Sequence, residues 1–225
     1  MPNTLLKLSQ ASREVKSGGK KTKLLDTINL EVKEGEFISL MGPSGSGKST
    51  LLNCIGMLDS FTDGGYVFLG EPVHSMKEKN RSKLYKEYIG FVFQAYHLID
   101  ELTVLENIET PLLYKNVKSS ERKALVADML DRFNIVGKKA LFPVQLSGGQ
   151  QQLVGIARAL ISKPKLILAD EPTGNLNSKQ STEIMELFAQ LNKEGVTIIQ
   201  ATHSESNAAY GSRIINLLDG KIVAE

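Results

Sequence analysis

A chain of 225 residues with 27 Lys and Arg against 25 Asp and Glu carries a formal charge of +2, which gives no electrostatic reason to expect a nucleic-acid binder with a broad basic face. Its 41% hydrophobic and 23% charged residues, with 19 Gly and 7 Pro, exclude a disordered or fibrous chain, and the length suffices for one large domain or a core with a subdomain. The single cysteine, Cys54, excludes an internal disulfide and fits a reducing compartment. The first twenty residues lack the apolar stretch of a secretory signal, and no apolar run approaches the ~20 residues that cross a bilayer. Any membrane role is therefore expected through a partner, without direct insertion.

Residues 24–32 place Ile28, Leu30 and Val32 at period two, which predicts a half-buried strand. Glu34-Gly35-Glu36 turns the chain into 37–41, a short and mostly apolar strand. Leu51, Leu52, Ile55 and Leu58 then mark one face of a helix, with Cys54 beside that face as a buried, inert thiol. Segments 66–69 and 89–93 read as strands punctuated by Gly64, Gly65 and Gly70. From 95 to 160 the pattern is helical: Leu125, Val126, Met129, Leu130 and Phe133 form a stripe, and Gly137 is placed to cap it. Strand and helix alternation resumes with 166–169, a helix carrying Ile184, Leu187, Phe188 and Leu191, and a strand at 196–201. Asp219-Gly220 between two apolar runs signals a hairpin. The whole predicts an α/β protein with a parallel sheet covered on both faces, its core at 1–94 and 161–225 and a helical subdomain inserted at 95–160. Lys16, Lys20, Lys21 and Lys23 around Gly18-Gly19 read as a solvated loop.

Three short segments carry chemistry. Gly42-Pro43-Ser44-Gly45-Ser46-Gly47-Lys48-Ser49-Thr50 fits G-x-x-x-x-G-K-[ST] between a buried strand and a helix, the context that motif requires. Glycines let successive N–H groups curl toward one anion, and the helix adds its positive end. Lys48 can reach the outer phosphates and the Ser49 hydroxyl can bind Mg²⁺, so the expected ligand is a nucleoside triphosphate with magnesium. Residues 166–171 form an apolar strand ending in Asp170 and Glu171, which should run beside the phosphate-loop strand. Adjacent buried carboxylates are costly unless they face a cation. Asp170 is the natural magnesium ligand, and Glu171 can orient or deprotonate a water. Finally, Leu146-Ser147-Gly148-Gly149-Gln150 opens another helix. Ser147 and Gln150 fit a capping box, and the two glycines would leave the helix start uncovered for an anion. A chain with both features could close two identical sites by twofold pairing.

Over essentially its whole length the sequence resembles the ATP-binding cassette (ABC) ATPases, on GPSGSGKST, Gln94 after Phe91-Val92-Phe93, LSGGQ, LILADE and Thr202-His203, in that order. GFVFQAYHLIDELTVLENI and ILADEPTGNL look most like the subgroup that works with macrolide-exporter, lipoprotein-releasing and cell-division membrane proteins. The resemblance implies a RecA-like phosphate-loop core with a mostly parallel sheet, an N-terminal antiparallel β subdomain and an inserted helical subdomain. It implies two copies sandwiching two ATP molecules between the phosphate loop of one and Ser147, Gly148, Gly149 and Gln150 of the other. Gln94 would link the magnesium site to the helical subdomain that grips an integral membrane permease, Glu171 would be the catalytic base and His203 would contact the γ-phosphate. The protein would then sit in the cytoplasm, on the inner face of the membrane. Four positions depart from the family pattern: Val15 where an aromatic stacks on adenine, Leu153 where an Arg commonly follows LSGGQQQ, Asn177 for Asp in GNLN, and Ser204 for Asp after His203. A nucleotide-binding regulatory module with little turnover and a soluble, non-transport ABC ATPase are the competing readings.

Overall fold

The protein is described by a computed structural model that covers residues 3–17, 19–115 and 117–224. Its strands are β1 (Thr4–Ser17), β2 (Lys20–Lys33), β3 (Phe37–Met41), β4 (Asp63–Phe68), β5 (Glu71–Pro72), β6 (Ile89–Phe93), β7 (Leu166–Asp170), β8 (Thr197–Thr202), β9 (Arg213–Leu218) and β10 (Lys221–Ala224). Its helices are α1 (Lys48–Ile55), α2 (Glu78–Tyr88), α3 (Val104–Leu113), α4 (Ser119–Arg132), α5 (Gly148–Leu160), α6 (Ser178–Lys193) and α7 (Glu205–Ala208).

Two sheets result. β2, β1, β4 and β5 form an antiparallel sheet in that order, and β10, β9, β3, β8, β7 and β6 form the other. In the second, β9, β3, β8, β7 and β6 are parallel, and β10 returns antiparallel through the Asp219-Gly220 turn. Both turn residues have positive φ, 48° and 74°, the two-residue hairpin geometry that favours Asp-Gly. Period-two alternation sends each central strand's side chains to opposite faces. Ile38, Leu40, Leu166, Leu168, Ile199 and Ala201 pack with α1 and the antiparallel sheet. Phe37, Ile167, Ala169 and Ile198 pack with residues of α3, α4, α5 and α6. That second layer is continuous from the sheet into the 95–160 helices.

Several expectations need correction. The strand ending in Asp170 does not lie beside β3, because β8 runs between β3 and β7. The rule that ligands bind at strand carboxyl ends requires parallel strands to end on one edge, which this sheet provides without adjacency; fully buried β8 takes the centre. Gly137 does not end α4. That helix stops at Arg132, and the left-handed residue is Asn134 at φ 57°, a conformation Asn tolerates; Gly137 lies in the 3-10 turn Val136–Lys138. Leu58 lies beyond the end of α1 and is exposed. The lysines read as a loop lie on two long strands instead, Lys16 on β1 and Lys20, Lys21 and Lys23 on β2, while Gly18 falls outside the described residues. No helix among the described residues is long and apolar enough to cross a membrane.

Candidate functional site

The phosphate loop, residues 42–47, leaves β3 at the edge where the parallel strands end. Gly42 is there because no side chain fits: a Cβ would stand 2.1 Å from the Leu217 carbonyl oxygen of β9. Gly47 holds φ 105° as the residue preceding α1, and no side chain caps that helix. Its first amides therefore remain available to an anion, at the positive end of the helix dipole. Lys48 is buried, and its Nζ donates to the carbonyls of Gly42 at 2.8 Å and Pro43 at 3.1 Å. The ammonium is thus drawn into the curl of the loop rather than out to solvent. Gly220 N–H donates to Ser46 O at 2.9 Å, and Asp26 N–H to Gly220 O at 2.8 Å, so the β9–β10 turn braces the loop against β2.

A cleft of about 990 Å³ opens over this loop, lined by Ser44, Gly45, Gly47, Lys48, Ser49, Thr50, Gln94, Glu171 and His203. The fold thus brings together residues from sequence segments more than a hundred positions apart. Glu171 follows β7 at φ 45°, its N–H donating to Ala201 O at 2.9 Å. One of its carboxylate oxygens lies 3.0 Å from His203 Nδ1, with Glu171 largely covered and the imidazole 71% exposed. Gln94 and Asn175 bond reciprocally: Gln94 Nε2 donates to Asn175 Oδ1 at 3.2 Å, and Asn175 Nδ2 to Gln94 O at 3.0 Å. Desolvation pushes the Asp170 carboxyl above its ordinary range, opposed by the Ser49 hydroxyl and then by Lys48. Its Oδ1 is buried without a partner. An unpaired hard oxygen beside a hydroxyl, at a phosphate loop, suits a magnesium ion that takes one or two protein ligands and its remaining ones from phosphate and water.

Sequence reasoning missed part of this lining. Thr22, Lys23 and Leu24 of β2 and the Asp219-Gly220 turn also face the cleft. The hairpin signal at 219–220 was readable, but nothing local to it says that its turn supports a phosphate loop. Val15 does not line the cleft itself; it sits half-buried on β1 directly across from Thr22, which does.

Residues Ser147–Gln150 do not line this cleft. The capping box forms: Gln150 N–H donates to Ser147 Oγ at 3.4 Å and Ser147 N–H to Gln150 Oε1 at 3.1 Å. The two glycines are not simply uncovered, however. Gly149 is buried, and a Cβ there would meet Gln180 Nε2 at 2.7 Å; one on Gly148 would meet Tyr96 Oη at 2.7 Å. They let α6 and the 94–97 segment approach the helix, while Ser147 stays exposed and Gly148 partly so. The family departures have local roles. Asn177 caps α6 by accepting from Gln180 N–H at 3.0 Å, and Ser204 caps α7 by accepting from Asn207 N–H at 3.3 Å. Leu153 packs against the α3–α6 apolar layer.

Comparison with known proteins agrees with this geometry. Residues 25–174 match the ABC transporter family. An ABC transporter ATP-binding protein of Bacillus subtilis, YvrO, is 43% identical over 221 residues, covering 98% of this chain and 96% of that one. The macrolide export ATP-binding/permease protein MacB of Vibrio parahaemolyticus is 42% identical over all 225 residues, but these make up only 34% of that longer protein. Among solved structures, a dimer of the ATP-binding cassette MJ0796 in a post-hydrolysis state, bound to ADP and Pi, superposes with a TM-score of 0.90. It is 42% identical and is covered, like this chain, to 97%. On the family match and the full-length similarity, this chain belongs to the ABC transporter family.

Proposed function

We propose that the chain is the ATP-binding and ATP-hydrolysing motor subunit of a membrane ABC complex. It would work as a head-to-tail pair of identical chains docked on an integral membrane permease, at the cytoplasmic face of the membrane. One observation carries the reading: the phosphate loop and the Glu171–His203 pair share one cleft. The loop N–H groups from Ser44 to Thr50 and the Lys48 ammonium hold the triphosphate oxygens. Phosphoryl transfer needs little covalent chemistry from the protein, so positioning and charge stabilisation dominate. Glu171, covered and bonded to His203, orients the attacking water and accepts its proton. His203 faces the γ-phosphate. Ser49, Asp170 and Gln94 would hold magnesium, which when bound neutralises charge on the outer phosphates.

Adenine would lie against the β1–β2 ribbon near Val15 and Thr22. The partner copy would present Ser147, Gly148, Gly149 and Gln150 to the same triphosphate. The dimeric MJ0796 cassette, with its ADP and Pi, supports both the pairing and the hydrolysis. The fused permease of MacB supports the membrane partner. The Glu171→Gln variant tests the reading. It should keep nucleotide affinity, lose at least 10²-fold in phosphate release, and elute as a dimer with magnesium ATP. Turnover at the parent rate would sink the role given to Glu171.

A further inference from the structure

The two side chains at the reactive end of the cleft stand on separate loops. Glu171 leads the turn after β7, and His203 leads the step from β8 into α7. Their direct contact includes a largely exposed imidazole, and an exposed pair of this kind holds geometry only weakly. Behind it, a second set of bonds joins the same two loops. Asn207 Nδ2 donates to Thr173 Oγ1 at 2.7 Å, two residues past Glu171, and Asn207 N–H donates to Ser204 Oγ at 3.3 Å, one residue past His203. The Asn207 carbonyl accepts from Gln200 Nε2 at 2.8 Å. Gln200 is fully buried on β8 and also donates to Ser39 Oγ of β3 at 2.9 Å, while Ser39 donates to Ala208 O at 2.9 Å. Main-chain groups thus pin α7 to the sheet, and the Asn207 side chain is free to reach across to the turn.

The turn has use for such a tie. Glu171 lies at φ 45°, a conformation a non-glycine residue keeps only where its surroundings over-determine it. Gly174 N–H donates to Glu171 O at 3.0 Å, closing the turn from within. Gln152 Nε2 of α5 donates to Pro172 O at 2.7 Å from one side. Asn207 holds Thr173, which is 7% exposed, from the other. We propose that Asn207 is a positioning residue for hydrolysis: by tying Thr173 to α7 it sets the Glu171 turn against His203. The carboxylate then meets the attacking water while the imidazole meets the γ-phosphate. The proposal rests on the roles given above to Glu171 and His203.

Asn207→Leu removes the amide but leaves the main-chain bonds to Gln200 and Ser204, and Thr173→Val removes the same bond from its other end. In the full chain, either variant should lower kcat about tenfold, the scale of one lost hydrogen bond. KM for ATP and the affinity for a fluorescent ATP analogue should stay within about twofold. The double variant should lose no more than either single one, because both delete one interaction. Asn207→Asp, whose carboxylate can accept from the Thr173 hydroxyl, should recover most of the rate. A thermal melt identifies the folded variants, and Thr173→Val carries the test if Asn207→Leu does not fold. A parental kcat in a folded single variant, multiplying losses in the double variant, or a rise in KM matching the fall in kcat would each overturn the assignment. If Glu171→Gln is inactive while these variants are fully active, only Asn207 loses its role. If Glu171→Gln itself turns over, the underlying reading fails.

Discussion

Two helices in this protein begin beside glycines implicated in phosphate binding, and they present their first turns in opposite ways. α1 starts from Gly47 with no side-chain cap, whereas α5 starts from Ser147 inside a closed capping box. A cap contributes about 1 kcal/mol, so α1 forgoes local stabilisation and keeps its amides free. It is held by its body instead, with Lys48, Leu51, Leu52, Cys54 and Ile55 buried and the helix lying on β7 and β8. In α5 the box occupies the Ser147 and Gln150 amides. The glycines differ too. Gly42 answers to a carbonyl, which cannot move without moving β9, while Gly149 answers to the end of the flexible Gln180 side chain. A phosphate loop that stays uncapped at all times needs a rigid seat. A helix start that meets phosphate only across a dimer seam, as proposed, can be finished within its own chain.

The largest contrast expected from this comparison is at Cys54, which reports on the seat of α1. Burial, and then Asp59, pushes its thiol up to about 12, against roughly 8.5 in an unfolded chain. Because the folded value is the raised one, the associated stability is complete below about 8.5 and declines as pH rises toward 12. At pH 8 the native thiol should react with a thiolate-specific disulfide reagent about 10³-fold slower than the denatured chain, from the difference in ionised fraction. Labelling at the denatured rate would mean that α1 is not seated as described. Next in size is Lys48→Ala. It should lower kcat/KM for ATP by about 10²–10³-fold, the cost of removing a preorganised charge donor, measured by phosphate release. A kcat/KM within a few-fold of the parent would mean that Lys48 does not supply that charge.

How much of this was legible in the sequence follows from where each signal resides. The phosphate loop, the paired acids and the Ser147–Gln150 box are local patterns, and local geometry forces them. β1 was not legible as a strand. Its pairing with β2 shifts register between Leu8 and Ala11 and again on to Glu14, and Gln10 has φ 51°, so period-two alternation breaks where it would be read. α2 was missed because none of its residues is buried, which leaves no apolar stripe to find. The cleft was half legible. Motifs supplied Lys48, Gln94, Glu171 and His203, but the bracing of Ser46 by Gly220 and the tie of Asn207 to Thr173 are long-range contacts between ordinary residues. The lysines around Gly18-Gly19 show the same limit: Lys23 faces the cleft only because β2 folds over it.

Ser147→Ala tests the capped side. Losing the hydroxyl that accepts from Gln150 should cost about 1 kcal/mol, lowering the melting midpoint by roughly 2–4 °C in a chain of this size. An unchanged midpoint would mean that the box is not what stabilises the start of α5.

The smallest stability effect, and the most discriminating one, is expected for Gly149→Ala. Alanine is the better helix former by about 0.5–1 kcal/mol, and the atom in its way is the amide end of the Gln180 side chain, which can shift by rotation, so the two effects should nearly cancel. The midpoint should move by no more than about 2 °C. Function should not follow stability here. If the start of α5 meets the partner's triphosphate, a methyl group and a displaced Gln180 at this position will hinder closure. ATP-dependent dimerisation of the Glu171→Gln protein, read by size-exclusion chromatography, should then weaken when Gly149→Ala is added. A variant that melts like its parent but pairs less well would separate the binding role of this glycine from its packing role. A variant that melts and pairs like its parent would leave Gly149 as a packing residue alone.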